Sequence, residues 1–381
     1  MANKFKVSDG LLIILFVIAL CSPIIQKVFK IIPSQPNTEN RRLSDMPVLD
    51  FNLPDSFPSK YESYYNDHFI FRNQYLKLYS TVNLNLFGKC PYPDKVLIGK
   101  NQELFLVFNE LNNYLRKDLF KKSDLDKMRS DFSYRKKFLE SKGIEYYVAI
   151  CPTKYSVYPE LLPWYLKPNN TPSRTEQFTG LMNELGIEVI DLQKAIIKAK
   201  DSIPQQLFRS TDNHWNELGA FVAFGEIMHR LSKKHPQLKW KHFGDYTIKE
   251  EESGPGNLAV MLNLEKEIHD SKYVFTPKFP FRSRFIDKCP YPKPEAFNPK
   301  DYYHGYYIDN SEQPKILLIH DSFGNSIQPF IRESFSKSVF IWDKWQYKLN
   351  EEIVEAEKPD IYVTLVIESG LQYVADNCKE K

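Results

Sequence analysis

The amino-acid sequence predicts an α/β fold, built on a mostly parallel sheet that helices cover on both faces. Short apolar segments such as Tyr146–Cys151, Ile316–Ile319 and Ile361–Ile367 alternate along the chain with segments of helical periodicity. These short segments are apolar at successive positions, which is typical of strands buried on both faces. Helices that alternate with such strands indicate a parallel sheet. In these sheets functional sites lie beyond the carboxyl ends of the strands.

The predicted elements follow in regular order from residue 123. Ser123 and Asp126 form a helix-capping signature, and Gly143 ends that helix just before the first buried strand, Tyr146–Cys151. Asn216 is placed to cap a later helix. The remaining predicted elements are a helix over 175–185, a strand over 187–192, a helix over 217–231, a strand over 315–320, a helix over 325–335, a strand over 338–342, a helix over 351–358 and a strand over 361–367.

Residues 1–32 are predicted to form a cytoplasmic head and a transmembrane signal anchor. Two lysines precede an uncharged, mostly apolar segment, Leu11–Gln26. This segment is shorter than the roughly 20 residues that cross a bilayer, but Lys27 and Lys30 can extend their charged ends to the interface. A cleavable signal peptide is the alternative interpretation. Both interpretations place the rest of the chain outside the cytoplasm.

The rest of the chain is predicted to be one catalytic domain behind a tether. Residues 33–56 are polar and contain proline at intervals, as in a linker that does not pack. The domain spans 57–381. It begins with a lead-in over 57–110 and contains an irregular excursion over 254–310, where proline and aromatic residues interrupt the alternation of helices and strands.

The charge distribution argues against a nucleic-acid partner. The formal net charge is +3, yet residues 1–42 hold six lysine and arginine residues against two acidic ones. The rest of the chain is therefore close to neutral, whereas a nucleic-acid-binding domain needs clustered basic charge.

Ser322 lies where an α/β fold can present a nucleophile. It follows the predicted strand Ile316–Ile319 and precedes a predicted helix. At such a position the hydroxyl is exposed, while the free N–H groups and the dipole of the first helical turn favour an oxyanion. Only Gly324 matches the nucleophile-elbow pattern Gly-x-Ser-x-Gly. The alternative is that Ser322 merely caps the helix.

The segment Thr211–Asn216 contains the base that a serine nucleophile requires. A histidine must take the serine proton, and a carboxylate must hold that histidine in the right tautomer. In an extended segment residues two apart point the same way, so Asp212 can reach one ring nitrogen of His214 and leave the other for Ser322. Asp-x-His alone is common in surface turns. Two such motifs, each before a helix, favour a triad of Ser322, His214 and Asp212.

The two motifs together resemble a known family. The segment Thr211–Gly219 (TDNHWNELG), followed by a later strand and Asp321–Gly324 (DSFG), is similar to the SGNH-hydrolase-like polysaccharide O-acetyltransferases, the AlgJ/AlgX-like family. The aspartate and histidine precede the serine, as in that family and in reverse of ordinary SGNH hydrolases. Further matching segments follow the family's order over nearly the whole chain after the anchor: 40–44, 65–72, 95–100, 152–159, 256–259 and 359–368.

This resemblance implies a three-layer αβα fold of the SGNH type. It also implies an enzyme that moves an acetyl group to hydroxyls of an exported polysaccharide. At the matching positions Ser322 is the nucleophile that becomes acetylated, His214 is the base, and Asp212 orients the base. The implied location is the periplasmic side of the inner membrane, on a single-pass anchor. The implied partner is a membrane-bound O-acyltransferase that supplies acetyl groups, so no bound cofactor is expected.

Four further residues are candidates for substrate binding or for an oxyanion donor. Lys154 and Tyr158 follow the end of a strand and can contact an anionic or hydroxyl-rich sugar; a solvated lysine and a packed tyrosine are the alternatives. Trp215 is a candidate sugar-stacking face, with a core position as the alternative. Asn257 is an oxyanion candidate, or part of a surface turn, because Gly256-Asn257 replaces a Gly-Asp more often seen in the family.

Two other features limit the chemistry. His320 stands where many relatives have glycine. No metal site is predicted, since Asp212 and His214 lack a third ligand partner.

Two alternative functions are compatible with this sequence: an acetylesterase and a non-catalytic scaffold. An acetylesterase would use the same triad, with water in place of the sugar hydroxyl as acceptor. A non-catalytic scaffold in a polysaccharide assembly complex would keep the fold without using the triad.

Overall fold

The described chain divides into two compact units. The computed structural model describes residues 7–31, 43–49, 55–292, 302–309 and 311–379. One unit comprises Met1–Tyr92 with Ala259–Glu267, and the other comprises Pro93–Leu258 with Ile268–Lys381. Much of the predicted tether, residues 33–56, lies outside the described residues, as do residues 293–301 of the predicted excursion.

The described part of the first unit contains three helices that lie wholly within it. Its helices are α1 (Val7–Phe29), α2 (Ser56–His68) and α3 (Arg72–Phe87). Helix α3 ends at Gly88, whose φ of 61° lies in the left-handed region that glycine adopts without strain.

The predicted membrane anchor, residues 1–32, coincides with helix α1. Among the described residues, no helix combines the length and the apolar character that a bilayer crossing requires.

The second unit contains the central sheet. The strands in its described part are β1 (Val96–Ile98), β2 (Leu104–Leu106), β3 (Glu145–Cys151), β4 (Glu188–Asp191), β5 (Tyr246–Ser253), β6 (Asp270–Pro277), β7 (Arg284–Ile286), β8 (Tyr303–Tyr307), β9 (Lys315–His320), β10 (Lys337–Trp342) and β11 (Ile361–Ile367). The sheet has seven strands in the order β4-β3-β11-β9-β10-β8-β7. The first five of these are parallel, and β8 and β7 add antiparallel neighbours at one edge. The predicted mostly parallel α/β sheet is confirmed.

The helices in the described part of the second unit are α4 (Glu110–Tyr114), α5 (Lys122–Ser141), α6 (Lys154–Val157), α7 (Arg174–Glu184), α8 (Leu192–Ala199), α9 (Glu217–Ser232), α10 (Asn257–Met261), of which only 257–258 belong to this unit, α11 (Gln328–Ile331), α12 (Glu351–Glu357) and α13 (Leu371–Asn377). Asn216 caps α9, because its side chain accepts hydrogen bonds from the N–H groups of Leu218 and Gly219.

Two apolar cores lie on opposite faces of the sheet, because successive strand residues point to opposite sides. In β3, Tyr147, Ala149 and Cys151 join the core that α8 and α9 cover. The alternating residues Tyr146 and Val148 join the core that α5, α7, α12 and α13 cover. The interior positions of β3 are therefore apolar on both faces, as the sequence indicates.

Two stretches differ from the predicted elements. The helix predicted over 325–335 is a 3₁₀ turn, Ser322–Ser326, followed by the short α11. Pro329 has no N–H for the carbonyl of residue 325, so a continuous α-helix cannot form there. The segment 254–310, predicted as irregular, holds β6, β7 and β8, and β8 pairs directly with β10. These strands were not predicted because the proline and aromatic residues of the segment interrupt the apolar pattern by which strands are predicted.

A buried ion pair links α5 to the loop after β10. The Arg135 guanidinium binds the Asp131 carboxylate at 2.6 Å, with side chains 3% and 8% exposed. It also donates a hydrogen bond of 2.6 Å to the carbonyl of Tyr347. Arg129 on the same helix makes an ion pair with Glu184 at 2.6 Å, but those side chains are 47% and 60% exposed.

We predict that Arg135→Met lowers the free energy of unfolding by roughly 3–5 kcal/mol, because Asp131 is left buried without its cation. Arg129→Met should cost about 1 kcal/mol or less, since its ion pair is solvated. Equilibrium denaturation in urea measures both. Equal losses in the two variants would contradict the role assigned to the buried pair.

Candidate active site

Ser322 lies at the carboxyl edge of the sheet, immediately beyond β9. It is the first residue of the 3₁₀ turn that Asp321 caps: the Asp321 carboxylate accepts a hydrogen bond of 2.9 Å from the N–H of Phe323. The Ser322 side chain is half-buried. Its own backbone N–H is not engaged by any residue of the described chain. A hydroxyl and a free N–H donor therefore stand together at this edge.

The Asp321 carboxylate is fully buried and binds three segments together. Besides the Phe323 N–H, it accepts hydrogen bonds from the Tyr347 hydroxyl at 2.8 Å and from the Ile367 N–H at 2.7 Å. Burial raises the pKa of this carboxyl, and the three donors counter that only in part. Neither this role of Asp321 nor that of Tyr347 is indicated by a local sequence pattern, because both depend on contacts between distant segments.

His320 is a buried, neutral histidine beneath the turn. Its Nδ1–H donates to the carbonyl of Asp321 at 2.7 Å, and Nε2 accepts from the Gln328 amide at 3.3 Å. Burial lowers the pKa of His320 to about 4, so the ring stays uncharged at neutral pH. The ring fills the space below Gly324, where an added Cβ would lie 2.5 Å from it. His320 is thus a packing residue beneath the serine turn.

Asp212, His214 and Ser322 form an unbroken hydrogen-bonded series. Nδ1 of His214 lies 2.7 Å from Oδ1 of Asp212, and Nε2 of His214 lies 2.8 Å from Oγ of Ser322. Because a carboxylate only accepts, Nδ1 carries the proton and Nε2 is the acceptor for the serine hydroxyl. The ring of Phe323 packs against the imidazole with centroids 4.8 Å apart. This arrangement can take a proton from Ser322.

Backbone and side-chain contacts hold the Asp212 segment in place. Asp270 accepts hydrogen bonds from both the N–H and the hydroxyl of Thr211, at 2.9 and 2.6 Å. The Thr211 hydroxyl oxygen in turn accepts from the N–H of Gly256 at 2.8 Å. The N–H of Asn257 donates to Oδ2 of Asp212 at 2.8 Å. An added Cβ on Gly256 would lie 2.4 Å from the Thr211 carbonyl, so only glycine allows this approach.

These contacts decide the ionisation of Asp212. Burial alone would raise the pKa of this carboxyl, but the hydrogen bond to His214 and its charge act in the opposite direction. The N–H groups of Asn257 and His214 also favour the ionised form, and together they lower the pKa of Asp212 to about 2. Asp212 is therefore a carboxylate at neutral pH.

Lys154, a candidate for substrate binding, is placed in the interior. Its side chain is fully buried and its ammonium group pairs with Glu103 at 2.8 Å. It also donates to the backbone carbonyls of Leu104, Arg209 and Ser210 at 3.0, 2.7 and 3.1 Å. The ammonium group is thus occupied by the protein. A contact with substrate is not supported, and Lys154 holds the segment before Thr211 against β2.

Tyr158 and Trp215 are also core residues. The Tyr158 hydroxyl accepts a hydrogen bond of 2.8 Å from the N–H of Leu207, and the side chain is 5% exposed. Trp215 is 1% exposed and donates its indole N–H to the carbonyl of Phe323 at 3.2 Å. Neither side chain offers a face to a sugar. Trp215 instead binds the His214 segment to the Ser322 turn.

Asn257 contributes to the site through its backbone. Its N–H donates to Asp212, so only the exposed side chain is free to contact an oxyanion.

Within the described residues, no group of three or more histidine, cysteine or acidic side chains is arranged to hold a metal ion.

The parallel sheet and the serine at its carboxyl edge define an SGNH-like α/β domain. Residues 96–341 match the family described as "SGNH hydrolase-like domain, acetyltransferase AlgX", and the chain belongs to that family. The resemblance seen in the sequence motifs is confirmed.

Two curated relatives share part of the sequence. The chain is 25% identical over 177 residues to the "Probable alginate O-acetylase AlgJ" of Pseudomonas syringae pv. tomato, which covers 46% of this chain and 42% of that protein. It is 24% identical over 181 residues to the protein of the same name from Azotobacter vinelandii, which covers 48% and 43%. The chain thus spans less than half the length of these relatives.

A solved structure shares the fold. PatB1 of Bacillus cereus superposes with a TM-score of 0.54 and 16% sequence identity, covering 75% of this chain and 99% of PatB1. At this identity the similarity shows a common fold.

We predict that Asp212→Asn reduces stability in a pH-dependent way. The folded pKa of about 2 lies below the ordinary value of 3.8, so the ionised Asp212 stabilises the fold above about pH 4. That contribution, about 2 kcal/mol, is lost as the pH falls towards 2. The unfolding free energies of wild type and Asp212→Asn, measured from pH 2 to 7, should converge at the acidic end. Parallel curves would show that Asp212 does not have this pKa.

We predict that Gly324→Ala destabilises the protein by roughly 1–3 kcal/mol, because the new methyl group overlaps the His320 ring. Gly225→Ala in the middle of α9 is the matched control, since an added Cβ there meets nothing within 4 Å. That control should stabilise the protein by up to about 1 kcal/mol. Thermal unfolding distinguishes the two, and a stable Gly324→Ala variant would mean that His320 can move aside.

Proposed function

We propose that this chain transfers an acetyl group to hydroxyls of an exported polysaccharide through an acetyl-serine intermediate. The observation that carries the proposal is the hydrogen-bonded series of Asp212, His214 and Ser322 at the carboxyl edge of the parallel sheet. Membership of an acetyltransferase family supports acetyl as the transferred group. The name of the two curated relatives supports a polysaccharide acceptor, with alginate as the first to examine.

In the first half of the reaction, Nε2 of His214 takes the Ser322 proton while Oγ attacks the carbonyl carbon of the acetyl donor. Asp212 supports the imidazolium that forms. The tetrahedral intermediate then collapses, the bond to the donor group breaks, and the departing oxygen takes the proton from His214. Ser322 is left as an acetyl ester.

In the second half, a sugar hydroxyl replaces the departing group. His214 removes the hydroxyl proton as the sugar oxygen attacks the acetyl carbonyl, and it then returns a proton to Oγ of Ser322. The products are the acetylated sugar and the free enzyme, so no external oxidant or reductant is needed.

The negative charge of each tetrahedral intermediate requires donors. The free Ser322 N–H at the start of the 3₁₀ turn is the first proposed donor. The exposed side chain of Asn257 is the second, since its backbone is bound to Asp212 beside the histidine.

The family resemblance leads us to propose that the acetyl donor comes from a separate membrane-bound O-acyltransferase. Such a partner would deliver acetyl groups to a domain on the periplasmic side of the inner membrane. The domain itself would then need no bound cofactor.

We predict that Ser322→Ala lowers the rate of p-nitrophenol release from p-nitrophenyl acetate by about a thousandfold or more, because the nucleophile is removed. Ser326→Ala, in the same 3₁₀ turn, should retain wild-type activity. Intact-mass analysis should detect one added acetyl group on wild type and on Ser326→Ala, and none on Ser322→Ala. Equal rates for Ser322→Ala and wild type would refute the proposed nucleophile.

The acceptor is tested with the same acetyl ester and alginate oligosaccharides. Transfer predicts acetyl esters on the sugar and a matching decrease in free acetate. If only acetate accumulates, the protein is an esterase towards this acceptor. If wild type is neither acetylated nor active, the scaffold interpretation gains support.

A further inference from the structure

A buried carboxyl group contacts the residue that lies between the aspartate and the histidine in the sequence. Glu110, at the start of α4, is 2% exposed. Its Oε1 accepts a hydrogen bond of 2.7 Å from the side-chain amide of Asn213, the residue between Asp212 and His214. Asn213 thus connects α4 to the segment that holds the imidazole. Nothing in the sequence distinguishes Glu110 from a surface glutamate of a short helix.

Among the described residues, no cation forms an ion pair with this carboxyl group. The charged residues that act on it are Glu368, beyond the end of β11, Asp212 on the neighbouring segment, and Lys154 at the start of α6. The first two are acidic. Lys154 is already paired with Glu103 and with three backbone carbonyls. Tyr155, from the same α6, faces Glu110 as a neutral phenol. An ionised Glu110 would therefore be a buried charge without a counter-ion.

Two buried acceptor atoms on α4 lack donors. Oε2 of Glu110 and Oδ1 of Asn113 have no hydrogen-bond partner among the described residues. Positions three apart on a helix lie on one face, so these two oxygens belong to the same buried side of α4. The hydroxyl of Tyr155, which lies close enough to Glu110 to interact with it electrostatically, is also buried without a partner among the described residues. An ionised Glu110 would leave Oε2 as a buried, unpaired charge, whereas a protonated Glu110 is neutral and its Oε1 still accepts from Asn213.

We propose that Glu110 is a positioning residue held as a neutral carboxylic acid, which fixes Asn213 and thereby the geometry between His214 and Asp212. The inference rests on the proposed function for its kinetic consequences, but not for the protonation of Glu110 itself. Glu110 touches neither the serine nor the acceptor; it acts through Asn213.

The neutral state of Glu110 affects the proton transfer by His214. During catalysis His214 becomes an imidazolium that Asp212 alone should stabilise. An additional negative charge behind Asp212 would compete for the same protons and alter the pH range of the base. Burial raises the pKa of Glu110 to about 8, and the hydrogen bond from Asn213 opposes this only in part. Ionisation above that pH would leave a buried charge next to the Asp212 segment and loosen it.

The kinetic test compares Glu110→Ala with Glu110→Gln. Glu110→Ala should lower kcat for p-nitrophenyl acetate by about ten- to a hundredfold with little change in KM, because the base is misplaced and not removed. Glu110→Gln should recover most of that loss, since its amide oxygen still accepts from Asn213. Asn213→Ala should resemble Glu110→Ala. Wild-type kcat/KM should fall above about pH 8, and that fall should be absent or displaced upward in Glu110→Gln.

A second measurement does not depend on activity. A carboxyl whose pKa is higher in the folded than in the unfolded chain makes stability fall as the pH rises between those two values. The unfolding free energy of wild type should therefore fall relative to that of Glu110→Gln from about pH 4.5 to about pH 8 and run parallel above. Glu184→Gln, an exposed control, should follow wild type throughout.

The outcomes separate the two proposals. A Glu110→Gln variant as inactive as Glu110→Ala, or one whose stability runs parallel to wild type at every pH, would overturn the neutral positioning role. If instead Ser322→Ala keeps full esterase activity, the proposed function fails. The stability comparison would then still decide the state of Glu110.

Discussion

The position of Ser322 depends on one buried carboxylate, that of Asp321. A carboxyl group removed from water needs hydrogen-bond donors, and Asp321 obtains them from Phe323, Tyr347 and Ile367. These donors belong to the serine turn, the loop after β10 and the end of β11. Satisfying one side chain therefore fixes the relative positions of three chain segments at the carboxyl edge. This network consists of protein groups alone, so it positions the serine without a contribution from substrate.

The support for Asp321 extends to the far side of the sheet. Tyr347 has a φ of 47°, which an L-residue adopts at a cost, and it is held there from two directions. Its hydroxyl donates to Asp321 and its carbonyl accepts from Arg135 in the buried ion pair with Asp131. Helix α5 thus stabilises the strained loop that supports the serine turn. The buried ion pair of Arg135 and Asp131, on one face of the sheet, is therefore connected through Tyr347 to the turn that holds Ser322.

The fold and the hydrogen-bonded residues Asp212, His214 and Ser322 could be predicted from the sequence, because buried segments leave an apolar pattern and few residue types can serve as nucleophile and base. The interior positions of strands covered on both faces are apolar, and the chemistry of an Asp-x-His motif and of a Ser before a helix limits the roles that these side chains can have. Lys154 and Tyr158 show the limit of this reasoning. Both follow a strand end, as a substrate-binding residue would, yet their partners come from segments about fifty residues away. A lysine buried against Glu103 has the same local sequence as a solvated one. Asp321, Tyr347 and Glu110 were missed for the same reason, since their roles arise from tertiary contacts.

Three carboxyl groups around the site show how environment assigns different charges to similar side chains. Asp212 is buried but faces a histidine and two N–H donors, so its pKa is lowered. The pKa of Asp321 and that of Glu110 are raised by burial, and neither carboxyl makes an ion pair within the described part of the chain. The negative charge that faces Nδ1 of His214 is that of Asp212. A second ionised carboxyl near Asp212 would couple its own titration to that of His214 and Asp212, so the pKa of the imidazole would depend on two anions. Because the imidazole must both accept and return a proton at Nε2, the charge of Asp212 serves to keep Nδ1 protonated and to leave Nε2 facing Ser322 for that exchange.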